Sequence, residues 1–260
     1  MPVFMAGYQM ARSIAAVLQV PLYCYSHQEG HIAAVCFGDD PERYQQSMNG
    51  PVLSGLSENS SDPGHKPSEL FFHLSGGTTE CLLIREEDRY HYRTEIVGGT
   101  KDISLGQLLD RAGVKLGYPF PAGKYLDRIA SENPATEYPG KIRYRDGWFN
   151  LSGTEFQVMK SIDEKGEAMI SGLFRRIGEL LLMAATDLAE KYGAEHVTFA
   201  GGVASSETIR RLLAPEHLPK GSPKLHFGSA ALSGDNAVGI ALLGGREFYG
   251  HSSDYGSAGK

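Results

Sequence analysis

Cysteine is scarce in this sequence, and its scarcity narrows the compartment in which the protein works. The 260 residues include three cysteines, Cys24, Cys36 and Cys81, and none of them belongs to a CxxC motif. Three thiols cannot pair completely, which excludes the disulfide framework of small secreted domains. The sequence therefore predicts a reduced, intracellular protein, and we expect it in the cytoplasm.

Long apolar runs are lacking as well. No run approaches the roughly 18 apolar residues that read as a membrane-spanning helix. The first 25 residues are apolar, but Arg12 interrupts them and no basic segment comes before them. We therefore expect neither a signal peptide nor association with a membrane.

An excess of positive charge is the third feature that is missing. The chain has 25 Lys and Arg against 31 Asp and Glu, a formal net charge of −6. This balance argues against a nucleic-acid binder that works by charge alone, but it allows a nucleic-acid enzyme with a local basic patch or a partner protein. The apolar fraction of 41% is that of a globular protein. Disordered, collagenous and coiled-coil chains are therefore excluded.

Apolar spacing, together with the positions of Gly and Pro, predicts helices that alternate with strands. The predicted helices cover 8–18, 27–37, 104–117, 122–132, 168–191, 203–213 and 234–245. The predicted strands cover 21–26, 69–75, 80–86, 89–97, 196–200 and 224–228. Residues 39–67 read as a polar loop or insertion, 134–165 as turn-rich and 251–260 as a disordered tail. This order favours an α/β sheet to which early hairpins add antiparallel strands.

Two histidines four residues apart, His27 and His31, form the first candidate site. On a helix they would share one face, so both imidazoles could reach one metal ion. Two surface or capping histidines explain the spacing equally well. The sequence HQEGH is not HEXXH, because Glu29 stands one place late, so the mechanism of a zinc peptidase does not carry over.

Two glycine-rich turns are candidate phosphate-binding loops. Ser75-Gly76-Gly77 joins two predicted strands, and Gly201-Gly202 lies between a strand and a helix. Backbone amides in such turns can approach phosphate oxygens because no Cβ blocks them. A simple hairpin turn and a tight strand-to-helix turn are the plainer alternatives.

Asp235, in the sequence SGDN before a helix, is either an N-cap or a metal ligand. As a ligand it would complete a set of two histidines and one carboxylate with His27 and His31. Such a set suits Fe²⁺ or Zn²⁺ and leaves coordination positions for a substrate.

The order of these motifs is more specific than any one of them. HxEGH, SGGT, D-x12-G, FxxSG, AGGVA and GDN follow each other in an order that resembles the tRNA N6-threonylcarbamoyladenosine transferase family, once described as glycoprotein endopeptidases. The resemblance covers residues 3 to about 247, except 39–67. It implies the α/β fold of the actin, Hsp70 and sugar-kinase superfamily (ribonuclease H-like), with two lobes around a nucleotide cleft.

The resemblance also implies roles for individual residues. His27, His31 and Asp235 would hold one divalent metal ion. The nucleotide, threonylcarbamoyl-AMP or ATP/AMP, would contact a larger set drawn from four segments: His73, Leu74, Ser75, Gly76, Gly77, Asp110, Gly123, Asp127, Gly201, Gly202 and Ser206. No side chain is identified as a catalytic base.

The chain departs from the family pattern in three places. Thr78 stands where the family usually has His after SGG, and Ser206 stands where it has Asn. The family's first strands, with their phosphate loop, have no counterpart before Met1, so we expect a first lobe truncated at its N-terminus. The expected division is the remainder of the first lobe (1–38), the insertion (39–67), a complete second lobe with a helical insert and the nucleotide site (68–250), and the tail (251–260).

The function implied by the resemblance is acyl-type transfer. The chain would pass a threonylcarbamoyl group to the N6 amine of the tRNA adenosine beside the anticodon, with tRNA, partner subunits and a related paralogue as partners. A non-catalytic paralogue that serves as a nucleotide-binding scaffold is the alternative from another class. A metallopeptidase is a weaker one.

Overall fold

A seven-stranded mixed sheet organises the chain. The computed structural model describes residues 2–38, 42, 44–45, 68–87, 91–133, 138, 140–234 and 237–256. The helices are α1 (Pro2–Leu18), α2 (His27–Phe37), α3 (Leu105–Lys115), α4 (Gly123–Glu132), α5 (Ser152–Lys165), α6 (Ile170–Tyr192), α7 (Glu207–Leu212) and α8 (Val238–Gly256). The strands are β1 (Ser68–Leu74), β2 (Thr79–Glu86), β3 (Tyr92–Thr100), β4 (Arg143–Arg145), β5 (Trp148–Asn150), β6 (His196–Ala200) and β7 (Lys224–Phe227).

The strand order is β4-β5-β3-β2-β1-β6-β7. Strands β1, β2 and β3 are joined as antiparallel neighbours, which confirms the predicted hairpin through residues 76–79. Strands β6 and β7 extend the sheet in parallel from β1, because each is reached through a helical connection. The carboxyl ends of β1 and β6 therefore lie side by side.

Both faces of the sheet are covered, and the alternation of apolar residues in β1 shows why. Leu70, Phe72 and Leu74 face the larger core, which contains the apolar sides of α3, α4 and α6. Phe71 faces a smaller core with Ile32 and other residues of α2 and α8. Successive side chains of a strand point to opposite faces, so the apolar residues of β1 are buried against a helical layer on each side of the sheet.

Helix α2 occupies the range predicted for it, and its N-terminus is fixed by a capping box. Ser26 Oγ accepts the Glu29 amide, and Glu29 in turn accepts the Ser26 amide. The helix packs on α8 so closely that a Cβ on Gly239 would lie 1.8 Å from the Gly30 carbonyl oxygen. Helix α2, which was assigned above to the first lobe, therefore packs beside α8 on the same face of the sheet.

The predicted strand at 21–26 is wrong. These residues form no strand, and Leu22 and Cys24 are exposed. An apolar run becomes a strand only where a neighbour offers a hydrogen-bonding edge, and none of the described strands pairs with it. The helix before it, α1, is exposed along the described part of its length, from Met5, except at half-buried Ala15. None of the described helices has the length and apolar character needed to cross a bilayer.

The turn-rich interpretation of 134–165 is also wrong, because β4, β5 and α5 lie within it. The start of α5 is fastened by a distant residue, since Asp102 accepts the amides of Leu151 and Ser152 at 2.8 and 2.9 Å. Burial alone would raise the pKa of Asp102, but these amides and that of Ile103 lower it below its ordinary value. A cap supplied from another segment leaves no local sequence signal.

The remaining differences are at element ends. Strand β3 begins at Tyr92 and runs to Thr100, α7 is restricted to Glu207–Leu212, and α8 begins at Val238. The backbone of α8 is helical to Gly256, within the range predicted as a disordered tail. The predicted insertion at 39–67 lies outside the described residues, apart from 42, 44 and 45.

The turn after β6 crosses the end of β1 at a glycine. Gly201 has φ +103, and a Cβ there would lie 2.3 Å from the Leu74 carbonyl oxygen. That carbonyl accepts the Val203 amide at 2.9 Å. Only glycine allows this positive φ together with so close a backbone approach.

We predict that Gly201→Ala destabilises the protein and Gly202→Ala does not. The first change adds backbone strain of about 1–3 kcal/mol as well as a steric overlap. A Cβ on Gly202 meets nothing within 4 Å. Urea unfolding of the two variants measures the difference, and equal stability would show that the Gly201 contact does not constrain the fold.

Candidate functional site

A cavity of about 320 Å³ lies where the ends of β1 and β6 meet α3 and α4. Its volume falls at the lower end of the range for small-molecule sites, roughly 300–1,000 Å³. Six of the predicted nucleotide-contacting residues line it: Gly76, Asp110, Gly123, Asp127, Gly202 and Ser206. They come from four segments that are distant in sequence, so the fold gathers most of the predicted set at one place.

Five residues of the predicted set do not line this cavity: His73, Leu74, Ser75, Gly77 and Gly201. Leu74 is fully buried in the core, and its carbonyl oxygen anchors the turn after β6. Ser75 organises the hairpin turn, because its Oγ accepts the amides of Thr78 at 2.9 Å and Gly77 at 3.3 Å. Leu74, Ser75 and Gly201 therefore support the turns that line the cavity without lining it themselves.

The hairpin turn is held in place by α3. Ser104, the N-cap of this helix, donates its hydroxyl to the Gly76 carbonyl oxygen at 2.6 Å. A Cβ on Gly106 would lie 2.5 Å from the Ser75 carbonyl oxygen, so the helix starts directly against the turn. Gly76 and Gly77 have open space where a side chain would stand, and both are exposed. The turn therefore offers accessible backbone at the edge of the cavity.

Asp110 connects the two helices of the insert. Its Oδ1 accepts the amides of Ala122 at 2.7 Å and Gly123 at 3.0 Å at the start of α4. Its Oδ2 accepts no hydrogen bond from the described residues. An ionised carboxylate oxygen has about two acceptor positions, so this oxygen keeps its capacity for a ligand.

Asp127 fastens α4 to α7. Its Oδ1 accepts the Ser206 hydroxyl at 2.7 Å and the Thr208 amide at 3.1 Å, and its Oδ2 accepts the Glu207 amide at 2.9 Å. The first oxygen is saturated, whereas the second keeps one acceptor position. Together, Asp110 and Asp127 can still accept donors from a ligand, as a pair of sugar hydroxyls would supply.

The apolar walls and one cation were not predicted from the sequence. Leu109, Phe174, Val203 and Lys124 line the cavity. Phe174 belongs to the helix predicted at 168–191, and it is fully buried from solvent. Lys124 could have been predicted as a cavity residue, because it stands in sequence between Gly123 and Asp127, which were both predicted to contact the nucleotide.

A histidine cluster lies on α2 and β1. The Nε2 atoms of His27 and His31 are 3.1 Å apart. The His73 ring contacts the His31 ring, with centroids 4.6 Å apart. His73 is three residues before Gly76, so their Cα atoms are at most about 11 Å apart. The cluster and the cavity therefore neighbour each other along β1 and its turn.

The pair of imidazoles fits a shared metal ion. Metal–nitrogen bonds are about 2.0–2.1 Å, so two of them can span any separation up to about 4.2 Å. A hydrogen bond between the two rings would also give 3.1 Å. Among the described residues, no group of three or more metal-ligating side chains is present. Asp235, the predicted third ligand, lies outside the described residues.

Glu29 makes structural contacts at the N-terminus of α2. Its Oε2 accepts the Ser26 amide at 2.7 Å, and its Oε1 lies 3.5 Å from His91 Nδ1. It is 7% exposed. Its role is to close the N-terminus of α2, which agrees with the argument against a peptidase.

The family model and the curated relatives that match this chain name the same protein family. The family model described as TsaD, tRNA N6-adenosine threonylcarbamoyltransferase, matches residues 46–242. Curated proteins of that name from Bacillus thuringiensis (strain Al Hakam) and Streptococcus equi subsp. zooepidemicus are each 27% identical to this chain. The matches cover 92% and 96% of the chain. They cover 64% and 68% of the two relatives, so the chain spans about two-thirds of their length.

Solved structures agree on the fold. HypF from T. kodakarensis superposes with a TM-score of 0.62 over 94% of this chain and 39% of its own, at 13% identity. Full-length HypF in a phosphate- and nucleotide-bound form gives 0.59 over 91% and 37%, at 12% identity. The α/β fold is of the actin and sugar-kinase type, as predicted. With three-quarters of its length matched by the family model, the chain belongs to the tRNA N6-adenosine threonylcarbamoyltransferase family.

Proposed function

We propose that this chain contributes the nucleotide-holding part of a transferase that passes a threonylcarbamoyl group from threonylcarbamoyl-AMP to the N6 amine of the tRNA adenosine next to the anticodon. Family membership supports the reaction class. The carrying observation is the gathering of Gly76, Asp110, Gly123, Asp127, Gly202 and Ser206 around one cavity. Partner subunits, a related paralogue as heterodimer partner and a cytoplasmic location belong to the proposal.

The chemistry of the cavity suits an adenylate. Leu109, Phe174 and Val203 offer an apolar surface for the base. The remaining acceptor positions on Asp110 and Asp127 can take ribose hydroxyls. The exposed backbone of Gly76 and Gly77 can approach phosphate oxygens.

In the proposed transfer, the N6 lone pair forms a bond to the carbamoyl carbon. The bond from that carbon to the phosphate oxygen breaks, AMP leaves with the electron pair, and the amine loses one proton to solvent. AMP is a stable leaving group, so the demand on the protein is mainly to hold donor and acceptor in reactive contact.

A divalent ion, Fe²⁺ or Zn²⁺, is part of the proposal. His27 and His31 would hold it with Asp235, and it would polarise a carbonyl oxygen as a Lewis acid when bound. Gly239, four residues after Asp235 in sequence, packs directly on Gly30, which lies between the two histidines. This contact supports Asp235 as the third ligand in the proposal.

A nucleotide-binding scaffold is the second candidate. The Ser206 hydroxyl donates to Asp127 and accepts the Ile209 amide at 3.1 Å, so both residues already serve the fold. A scaffold would keep the cavity and need no metal. Metal content therefore separates the two candidates.

We predict that Gly202→Leu weakens nucleotide binding without unfolding the protein. Gly202 lines the cavity, and a Cβ there meets nothing within 4 Å, so the new side chain occupies ligand space. Overpacking typically costs about 1–3 kcal/mol, which lowers AMP affinity roughly 5- to 150-fold. Gly153→Leu on α5, also in open space and away from the cavity, is the matched control. Titration calorimetry with AMP checks this, and unchanged affinity in Gly202→Leu would reject the cavity as the nucleotide site.

We predict about one bound transition-metal ion per chain and its loss in His27→Ala and His31→Ala. Each change removes one of the nitrogen ligands from a small set, and an exposed histidine elsewhere, His217→Ala, should keep the full content. Elemental analysis after reconstitution with Fe²⁺ or Zn²⁺ measures this. A wild-type protein without metal would favour the scaffold.

We predict that Asp235→Ala and His27→Ala abolish threonylcarbamoyl transfer to tRNA in an assay with metal and partner subunits supplied. The physical reason is loss of the ion that would polarise the carbonyl. Transfer that survives both changes would contradict the metal's role, while His217→Ala should retain activity.

A further inference from the structure

A second concavity opens beside the nucleotide cavity. This groove has a volume of about 550 Å³ and is lined by Gln107, Arg111, Val114, Lys115 and Phe120, together with Gly76 and Asp110. The last two residues also line the nucleotide cavity. The two spaces therefore adjoin at Gly76 and Asp110, and ligands bound in them would be neighbours.

Phe120 presents an aromatic ring to water at this groove. It is 75% exposed, although the turn that carries it is well anchored. On one side the Tyr118 amide bonds the Gly113 carbonyl oxygen, and the Tyr118 ring stacks on Tyr125 with centroids 5.2 Å apart. On the other side Ala122 bonds Asp110. An aromatic ring left exposed on an anchored turn can serve as a platform for stacking another flat group.

Two cationic side chains line the groove together with Phe120. Arg111 and Lys115 are four residues apart on α3 and therefore share one face. Arg111 pairs with Glu155 at 2.9 Å and Lys115 with Asp163 at 2.6 Å, with side-chain exposures of 50% and 41% for the two cations. Exposed ion pairs contribute little to stability, so a phosphate can replace these carboxylates at small cost.

We propose that the groove binds single-stranded RNA: a loop nucleotide flanking the reacting adenosine of the tRNA. Its base stacks on Phe120, and its phosphates contact Arg111 and Lys115. Stacking on aromatic rings beside a cationic track is the general way in which proteins hold unpaired nucleotides. The inference rests on the proposed function for the identity of the RNA, and the shared wall at Gly76 places this RNA next to the adenylate.

The first test is binding of a labelled anticodon stem–loop RNA to the full chain, followed by fluorescence anisotropy. Phe120→Ala should weaken binding about tenfold through lost stacking, and Phe120→Trp should restore it. Phe156→Ala is the matched control, because Phe156 is 74% exposed and lines neither concavity. All three variants change exposed side chains, so thermal melting should match that of the wild type.

The second test is salt dependence. Each lost phosphate contact should reduce the slope of log K against log salt by about 0.7 for single-stranded RNA. Arg111→Gln and Lys115→Gln should each show this reduction, whereas Phe120→Ala should lower affinity and leave the slope unchanged. Conversely, a fully paired RNA duplex should be insensitive to Phe120→Ala.

The inference is overturned if Phe120→Ala leaves binding of the stem–loop unchanged, if Phe156→Ala weakens it equally, or if the duplex loses the same affinity. AMP binding, measured in parallel, separates this inference from the proposed function. If AMP does not bind but Phe120 still governs RNA affinity, the nucleotide assignment fails and the groove stands. If AMP binds and RNA affinity ignores Phe120, the groove assignment alone fails.

Discussion

The backbone contact between Gly201 and Leu74 is the constraint on which the site depends. Parallel pairing of β1 with β6 places two strand ends side by side, and both chains must then turn out of the sheet in the same small space. A Cβ at Gly201 would overlap the Leu74 carbonyl oxygen at 2.3 Å. With glycine there, the two turns nest, and Gly76 and Gly202 become walls of one cavity. Ligands in open α/β sheets characteristically bind at such strand ends.

The sequence allowed good prediction where the determinants are local. Helix α2 was predicted from 27 to 37 and found as His27–Phe37, because Ser26 and Glu29 form a capping box within the same segment. Strand β6 was predicted without error, since its five buried residues are flanked by turn residues. Prediction failed where the determinant is distant. The start of α5 depends on Asp102, which is about fifty residues away in the chain, and residues 21–26 lacked a described strand with which to pair.

The candidate site shows the same division. The resemblance identified residues of the cavity, but it could not separate ligand contacts from structural ones. Asp110 and Asp127 show why, because each carboxylate caps a helix start and still has acceptor positions open to a ligand. Leu74 and Gly201 shape the cavity through their backbone contact, while the Leu74 side chain packs in the core. Phe174, by contrast, stands at an apolar position of a long helix, and apolar periodicity cannot show that a buried side chain borders a cavity.

The net charge of −6 does not conflict with an RNA substrate once the groove is considered. Association with RNA requires a local cationic path, not a basic protein. Arg111 and Lys115 provide two cations on one helix face, and their ion pairs with Glu155 and Asp163 keep that face neutral until a phosphate replaces the carboxylates. Affinity then comes from exchange of partners and from stacking on Phe120. Such a surface would reject duplexes, which cannot offer an unpaired base, and would hold a loop nucleotide beside the adenylate.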